Sequence, residues 1–202
     1  AGIEFKLGTA TKEIRNNGEL VVVDTEKYGP LEFEAVLHAT GRRANTEGLG
    51  LENTDIELRP NGTIVVDEFC QTAVENVFAV GDVNGGLQFT YVSLDDFRVV
   101  NGYLHGNKEY TTADRKNVPY STFISPALSH VGLHKEEAEA AYPNVAVASL
   151  PVANMPRGAV NQDPRGLFRV TVDKDTNLIL GATLFGKNSE EIINLIKMAI
   201  DN

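Results

Sequence analysis

Apolar and polar residues alternate in the first part of the chain, as they do in β-strands with one buried face. The alternation predicts strands over residues 3–7 and 19–25. Between them, Asn16-Asn17-Gly18 supplies residues that tolerate positive φ in a hairpin turn. Residues 31–33 and 35–39 continue the pattern, so the chain is expected to open with several short strands.

Turn residues mark a second group of short strands. The sequence Arg59-Pro60-Asn61-Gly62 predicts a tight turn between strands over residues 56–58 and 63–66. Residues 77–80 are all apolar and predict a further strand, which stops abruptly at Gly81-Asp82.

Helical spacing replaces alternation after residue 90. Leu94, Phe97, Val100 and Leu104 recur at intervals of three or four residues and predict an amphipathic helix over residues 91–104. We expect these four side chains to form its buried face. The charged residues should lie elsewhere around the axis; they are Asp95, Asp96 and Arg98.

The last part of the chain mixes both patterns, after a polar connector over residues 106–117. Strands are predicted over residues 120–124, 145–150, 167–172 and 178–185. Helices are predicted over residues 135–142 and 189–200, the second with Asn188 as its cap and Glu191 three residues on. Residues 173–177 join the last two strands as a hairpin loop.

Charge and cysteine content exclude several classes of protein. A net charge of -10 argues against a surface that tracks nucleic-acid phosphates. No run approaches the roughly 18 apolar residues of a membrane span. The single Cys70 has no disulfide partner and is interpreted as a buried structural thiol. The expected location is therefore the cytoplasm.

The strand that ends at Gly81-Asp82 is a candidate ligand site. Ligands of open α/β sheets bind at the carboxyl ends of strands, where Gly81 leaves room and Asp82 can accept hydrogen bonds from sugar-like hydroxyls. The start of the next helix, around Phe89 and Thr90, carries unpaired N–H groups and partial positive charge. That helix start suits an electron-rich carbonyl oxygen.

The ordered motifs together resemble those of the pyridine nucleotide-disulfide oxidoreductases, a family that includes glutathione, dihydrolipoamide and mercuric reductases. The first half of the resemblance is carried by Ala39-Thr40-Gly41-Arg42-Arg43-Ala44-Asn45-Thr46, Leu49-Gly50-Leu51-Glu52, Ile64-Val65-Val66-Asp67, Gln71-Thr72 and Val77-Phe78-Ala79-Val80-Gly81-Asp82-Val83. The second half is carried by Val118-Pro119-Tyr120, Phe123, Pro126, Val131-Gly132, Glu137-Ala138, Leu180-Gly181-Ala182, Gly186 and Glu190-Glu191-Ile192. Ala44 stands where many members have Pro, and His134 where they have a capping Thr or Ser.

The resemblance implies an FAD-dependent enzyme that uses NADH or NADPH and works as a homodimer. It divides the chain into the tail of a nicotinamide-binding domain (1–40), a central FAD-binding segment (41–117) and a carboxy-terminal dimerisation domain (118–202). The implied fold is the end of a Rossmann-like α/β region followed by that dimerisation domain, an α+β unit with an antiparallel sheet. The implied cofactor-binding residues are Gly41, Arg42, Gly81, Asp82, Phe89 and Thr90.

The resemblance also implies that this chain is a fragment without catalytic activity of its own. The chain contains neither the family's glycine fingerprint nor its cysteine pair, and the catalytic His-Pro-Thr should lie beyond Asn202. The form Gln88-Phe89-Thr90-Tyr91 with Leu94-Asp95-Asp96 resembles the mercuric-reductase-like and reactive-chlorine-resistance-like branch.

Two other functions remain open from the residues themselves. The chain could be a non-enzymatic assembly module, although such a module has no reason to carry the ordered Gly-Arg and Gly-Asp pair. It could also bind a nucleotide at residues 181–188, which differ by one residue from a phosphate-binding loop. There, Asn188 replaces the magnesium-binding Ser or Thr, while Leu184 and Phe185 are too apolar for a loop that wraps phosphates. His130 and His134 are separated by Gly132, which argues against a helical metal site.

Overall fold

The computed structural model describes residues 2–202. It contains two antiparallel sheets, one in the first part of the chain and one in the last part. The first sheet is a meander of three strands; in order they are β1 (Thr11–Asn16), β2 (Val21–Thr25) and β3 (Gly29–Phe33). The predicted turn at Asn16-Asn17-Gly18 is confirmed, since the Asn16 side chain accepts a hydrogen bond from the Gly18 amide at 2.8 Å.

The predicted strand over residues 3–7 is wrong, and so is the one over residues 35–39. The strand that pairs with β2 across the turn is β1 instead. Ile3, Phe5 and Leu7 are each more than 70% exposed. Their alternation would give a strand with one apolar face. The described part of the chain provides no strand that pairs with this segment and no surface that buries that face.

The segment between the sheets consists of turns and one long helix, α1 (Thr90–Leu104). The turn at Arg59–Gly62 is confirmed by hydrogen bonds from the Arg59 amide to the Thr63 carbonyl and from the Gly62 amide to the Arg59 carbonyl, both 2.8 Å. The predicted strands around it, and the one over residues 77–80, are reduced to single bridges: Leu58 with Ile64 and Gln71 with Phe78.

The helix α1 has the predicted length but not the predicted orientation. Leu94, Phe97 and Leu104 are each more than half exposed, whereas Val92, Asp96 and Val99 are buried. The buried face packs on the turn segment, where the Tyr103 ring lies 5.2 Å from that of Phe69 and 5.6 Å from that of Phe78. Both the predicted face and the buried face have helical spacing. The aromatic contacts of Tyr103 favour burial of the second face, although that face contains Asp96.

The second sheet contains five antiparallel strands in the order β4-β5-β8-β7-β6, with three further helices. In chain order these elements are β4 (Tyr120–Thr122), β5 (Leu128–Gly132), α2 (Lys135–Ala141), β6 (Val145–Pro151), α3 (Pro156–Val160), β7 (Leu167–Asp173), β8 (Ile179–Phe185) and α4 (Ser189–Asp201). The prediction of an α+β unit with an antiparallel sheet is confirmed. Strand β5 and the short α3 were not predicted.

The hydrophobic core lies between this sheet and α4. Its buried members are Val131, Ala182, Leu184 and Ile193, and the partly buried residues around them are Phe168, Val170, Ile192, Ile196 and Ile200. On the outer side of α4, Leu195 and Met198 stay about two-thirds exposed. Among the described residues, no helix is long and apolar enough to cross a membrane.

The stretch that resembles a phosphate-binding loop lies mostly within β8. Leu184 is buried in the core, and Gly181 pairs with Gly132 of β5. These contacts leave no backbone cradle for a phosphate. Asn188 is the N-cap residue of α4, as predicted, but it has a left-handed φ of 63° and its side chain makes no capping hydrogen bond.

Candidate functional site

A tight turn at Gly81–Asn84 presents the carboxylate of Asp82 beside the start of α1. Gly81 has a φ of +73°, and a Cβ at this position would lie 2.7 Å from the Ser93 Oγ. Only glycine satisfies both the backbone angle and the close approach of α1. Gly81 therefore shapes the turn and is itself buried, while Asp82 is exposed.

The buried side chain of Asp96 holds the turn by hydrogen bonds, although the helical spacing predicted that Asp96 lies away from the buried face of α1. Its Oδ2 accepts hydrogen bonds from the Gly81 amide at 2.8 Å and from the Asn84 Nδ2 at 3.0 Å. Its Oδ1 accepts one from the Arg115 Nη2 at 2.6 Å. A buried carboxylate is tolerated here because both of its oxygens accept hydrogen bonds and Arg115 supplies the opposite charge.

Arg115 ties this arrangement to the connector that leads into the second sheet. Its Nε donates to the Asp95 Oδ2 at 2.8 Å, and the Tyr110 hydroxyl donates to the same oxygen at 3.0 Å. Burial disfavours the charged guanidinium, but the hydrogen bonds and charges of Asp96 and Asp95 outweigh it and raise the pKa of Arg115 above its ordinary value.

Arg42 and Asp82, predicted from separate motifs, meet in the structure. The Arg42 Nη1 lies 3.3 Å from the Asp82 Oδ2, and both side chains are at least half exposed. Solvent screening makes such an ion pair weak, so Asp82 remains available to a ligand. Gly41 precedes Arg42 in an exposed loop, where its φ of +110° suits glycine.

The start of α1 has no side-chain cap. Phe89 is the N-cap residue, and its carbonyl accepts from the amides of Val92 and Ser93. The Phe89 ring stacks on Tyr91 at 5.3 Å and on Tyr120 of β4 at 5.7 Å. The aromatic contacts fix the helix start against the second sheet and leave its partial positive charge available for a ligand.

These groups line one open cleft of about 1220 Å³. Four of the six predicted residues lie in its wall; they are Arg42, Asp82, Phe89 and Thr90. The opposite wall comes from the second sheet and α4, where it includes Tyr120, Asn194 and Lys197. This volume exceeds the roughly 300 to 1,000 Å³ of a typical small-molecule site.

His130 and His134 are stacked ring on ring, 3.7 Å apart. His130 uses both ring nitrogens within the protein, with Thr183 Oγ1 at 2.9 Å from Nδ1 and the Gly132 carbonyl at 2.9 Å from Nε2. Burial lowers the pKa of His130. In the described chain, no group of three or more His, Cys, Asp or Glu could hold a metal ion.

Cys70 is fully buried next to this site, as predicted for a structural thiol. Burial, with the charge of Asp96, raises the pKa of the Cys70 thiol from 9.0 to about 12. The thiolate is the reactive form of cysteine, so Cys70 is not a nucleophile at neutral pH.

Cys70 should therefore not react with a disulfide reagent such as DTNB at pH 8 while the chain is folded, and should react fully in denaturant. Because its folded pKa lies above its unfolded one, its contribution to stability is present below pH 9.0 and is lost as the pH rises toward about 12. Rapid labelling of the native chain would disprove the burial of this thiol.

Two family models match the chain. The model described as "Pyridine nucleotide-disulphide oxidoreductase" covers residues 1–96, and its "dimerisation domain" model covers residues 118–202. The chain belongs to the pyridine nucleotide-disulphide oxidoreductase family. The first sheet and the Gly81-Asp82 turn thus fall in the first match, and the five-stranded sheet falls in the dimerisation-domain match. This confirms the predicted family and fold class, while the boundaries at residues 40 and 117 stay predictions.

Several members are similar along nearly the whole chain. The probable pyridine nucleotide-disulfide oxidoreductase RclA of Escherichia coli is 42% identical over 99% of this chain and 45% of its own length. The dihydrolipoyl dehydrogenase of Corynebacterium glutamicum is 32% identical over 98% of this chain and 44% of its own length. The solved HOCl-induced flavoprotein disulfide reductase RclA from Escherichia coli matches with a TM-score of 0.88, 43% identity and coverage of 95% and 44%. The chain therefore spans less than half the length of these relatives.

Several residues that support the site were not predicted from the sequence. The buried Asp96 pairs with the partly buried Arg115 although they are 19 positions apart. No local spacing rule connects a helix carboxylate to an arginine across a connector. Tyr91 and Tyr120 give a similar case, because their role depends on how the second sheet meets the start of α1.

Proposed function

We propose that this chain is the carboxy-terminal part of a longer FAD-dependent oxidoreductase, called the parent protein below. The parent protein would take hydride from NADH or NADPH and pass electrons to a disulfide or another acceptor. Family membership supports this reaction class, and the printed names of the relatives include disulfide reductases and a flavoprotein. The chain itself is proposed to be inactive and the parent protein cytoplasmic.

The observation that carries the proposal is the shared cleft. Asp82, with its carboxylate exposed, lies in the same wall as the uncapped start of α1 at Phe89 and Thr90. A carboxylate that accepts from sugar-like hydroxyls and a helix start that attracts electron density are the two features that a flavin needs from this region.

Each residue has a separate part in this proposal. Asp82 would bind hydroxyls of FAD, and Arg42, whose Nη1 lies 3.3 Å from the Asp82 Oδ2, would contact the cofactor from the neighbouring loop. The backbone at Phe89 and Thr90 would stabilise negative charge at a flavin carbonyl oxygen. Gly41 and Gly81 would allow the backbone angles of the two loops. The bound flavin would supply the electron chemistry, while the chain orients and tunes it.

The relatives also favour one branch of the family. Identity to RclA is 42%, whereas it is 29% to 31% for two mercuric reductases over similar lengths. We infer that the parent protein is closer to the RclA-like, reactive-chlorine-resistance branch than to the mercuric reductases.

The isolated chain should purify without stoichiometric FAD. Its sequence lacks the glycine fingerprint that the family uses for the adenine and pyrophosphate part, so the remaining contacts would give little affinity. The absorbance spectrum after desalting decides the point. One flavin for each chain would overturn it.

The isolated chain should form a homodimer through residues 118–202. Membership of this segment in a dimerisation-domain family supports the prediction, and so do the exposed Leu195 and Met198 on the outer face of α4. Such an interface should bury roughly 2,000 Å² or more with an apolar centre. Light scattering at micromolar concentration should give twice the chain mass; a mass of one chain at every concentration would exclude self-association.

A further inference from the structure

Asp96 lies on α1, but its side-chain hydrogen bonds all come from residues outside that helix. Oδ2 accepts from the Gly81 amide and the Asn84 side chain, at the two ends of the turn that carries Asp82. Oδ1 accepts from Arg115. One carboxylate therefore joins α1, the turn and the connector to the second sheet.

The bond to Gly81 acts directly on the candidate ligand site. The Gly81 amide is part of the backbone immediately before Asp82, and the left-handed φ of Gly81 sets the direction in which Asp82 leaves the turn. Without Asp96 this buried amide would have no acceptor, and the turn would gain by opening to water. The position of the Asp82 carboxylate thus depends on a side chain that does not line the cleft.

Arg115 explains how the carboxylate can be buried. An isolated buried charge is costly, and Arg115 neutralises this one with a short hydrogen bond. A buried ion pair of this kind adds little stability compared with apolar residues of similar volume. What an apolar residue cannot do is accept a hydrogen bond from Gly81.

We propose that Asp96 is a positioning residue for Asp82, with Arg115 as its counter-charge, so that the turn is preformed before FAD binds. This rests on the proposed function, in which Asp82 binds FAD. Asp96 acts through the Gly81 amide, and its essential property is an acceptor oxygen at that position rather than its charge.

Two double variants of the parent protein separate acceptor from charge. Asp96→Asn with Arg115→Gln keeps an oxygen for Gly81 and removes both charges. Asp96→Ala with Arg115→Gln removes the charges and the oxygen together. We expect the first variant to bind FAD within about threefold of wild type, and the second to bind it at least about tenfold more weakly.

A buried carboxylate outside the cleft provides the control. Asp173→Ala removes the acceptor of the Thr176 hydroxyl and the Asp175 amide but leaves the hydrogen bonds of Gly81 intact. It should lower the denaturation midpoint without changing the FAD dissociation constant, so loss of stability alone is distinguished from loss of positioning. Equal FAD affinity in the two double variants, with both folded, would overturn the proposal.

Hydrogen exchange gives a test that needs no variant. In the wild-type parent protein stripped of FAD, the Gly81 amide should exchange slowly, since Asp96 already holds it. Exchange at the rate of an open loop before FAD is added would refute a preformed turn. If the wild-type parent protein binds no FAD at all, the proposed function fails, whereas the exchange result still reports on the turn.

Discussion

Replacing Gly181 with alanine should destabilise the folded chain by about 3 kcal/mol, near the upper end of the usual cost of overpacking. An added Cβ would lie 2.1 Å from the Leu133 carbonyl oxygen and 2.7 Å from the Leu133 amide nitrogen. Both are backbone atoms, so neither can rotate away. The close approach of β5 and β8, where Gly181 pairs with Gly132, is possible only without a side chain here.

The matched control is Gly86→Ala. An added Cβ at Gly86 would meet only the Asn84 side-chain oxygen, at 3.1 Å, and the backbone there is not left-handed. Its effect should stay within about 1 kcal/mol. Urea denaturation measures both variants. An unchanged urea midpoint for the Gly181 variant would show that the Leu133 backbone does not approach Gly181 as closely as described.

Replacing Asp82 with alanine in the parent protein should weaken FAD binding by about tenfold to a hundredfold or more. The variant loses charge-assisted hydrogen bonds worth on the order of 1.5 to 3 kcal/mol. It also leaves Arg42 without its carboxylate partner. The folding of the turn should change little, because Asp96 bonds to Gly81 and Asn84 rather than to Asp82.

Asp67→Ala is the control for this measurement. Asp67 is also an exposed aspartate after an apolar stretch, but its carboxylate accepts from its own neighbours, the amides of Phe69 and Gln71 at 2.8 and 2.9 Å. Its removal should loosen that local turn and leave the FAD dissociation constant close to wild type. If the two variants lose affinity equally, Asp82 has no specific part in the cofactor site.

Local patterns predicted four of the five strands of the second sheet. Strands β7 and β8 have apolar residues that the same chain buries against α4, so alternation and structure agree there. Strands β4 and β6 lie at the two edges of the sheet and contain no fully buried residue. Strand β5 was missed because Ser129 and His130 interrupt its apolar run. Both are buried through specific partners, Ser189 and Thr183, which no local pattern reveals.

The first part of the chain shows the opposite case. Alternation at Ile3, Phe5 and Leu7 is typical of a strand, yet pairing needs a neighbour, and the described chain does not supply one. On α1, two faces compete at the same spacing, and the aromatic contacts of Tyr103 favour the less apolar one.

The candidate site could be predicted in its exposed residues but not in its support. Asp82, Arg42, Phe89 and Thr90 were found through family motifs, and the structure brings them to one cleft. The buried Asp96 and the partly buried Arg115 were missed, because their contact arises only when the connector folds back onto α1. From spacing alone, charged residues such as these are predicted to lie on a solvent-exposed surface.

The most direct test of the account is the absorbance spectrum of the wild-type parent protein, recorded before and after addition of NADH or NADPH. We expect about one FAD for each chain after desalting, and we expect NADH or NADPH to bleach the flavin absorbance under anaerobic conditions. A folded parent protein that is colourless, and that takes up no FAD when the cofactor is supplied, would contradict it.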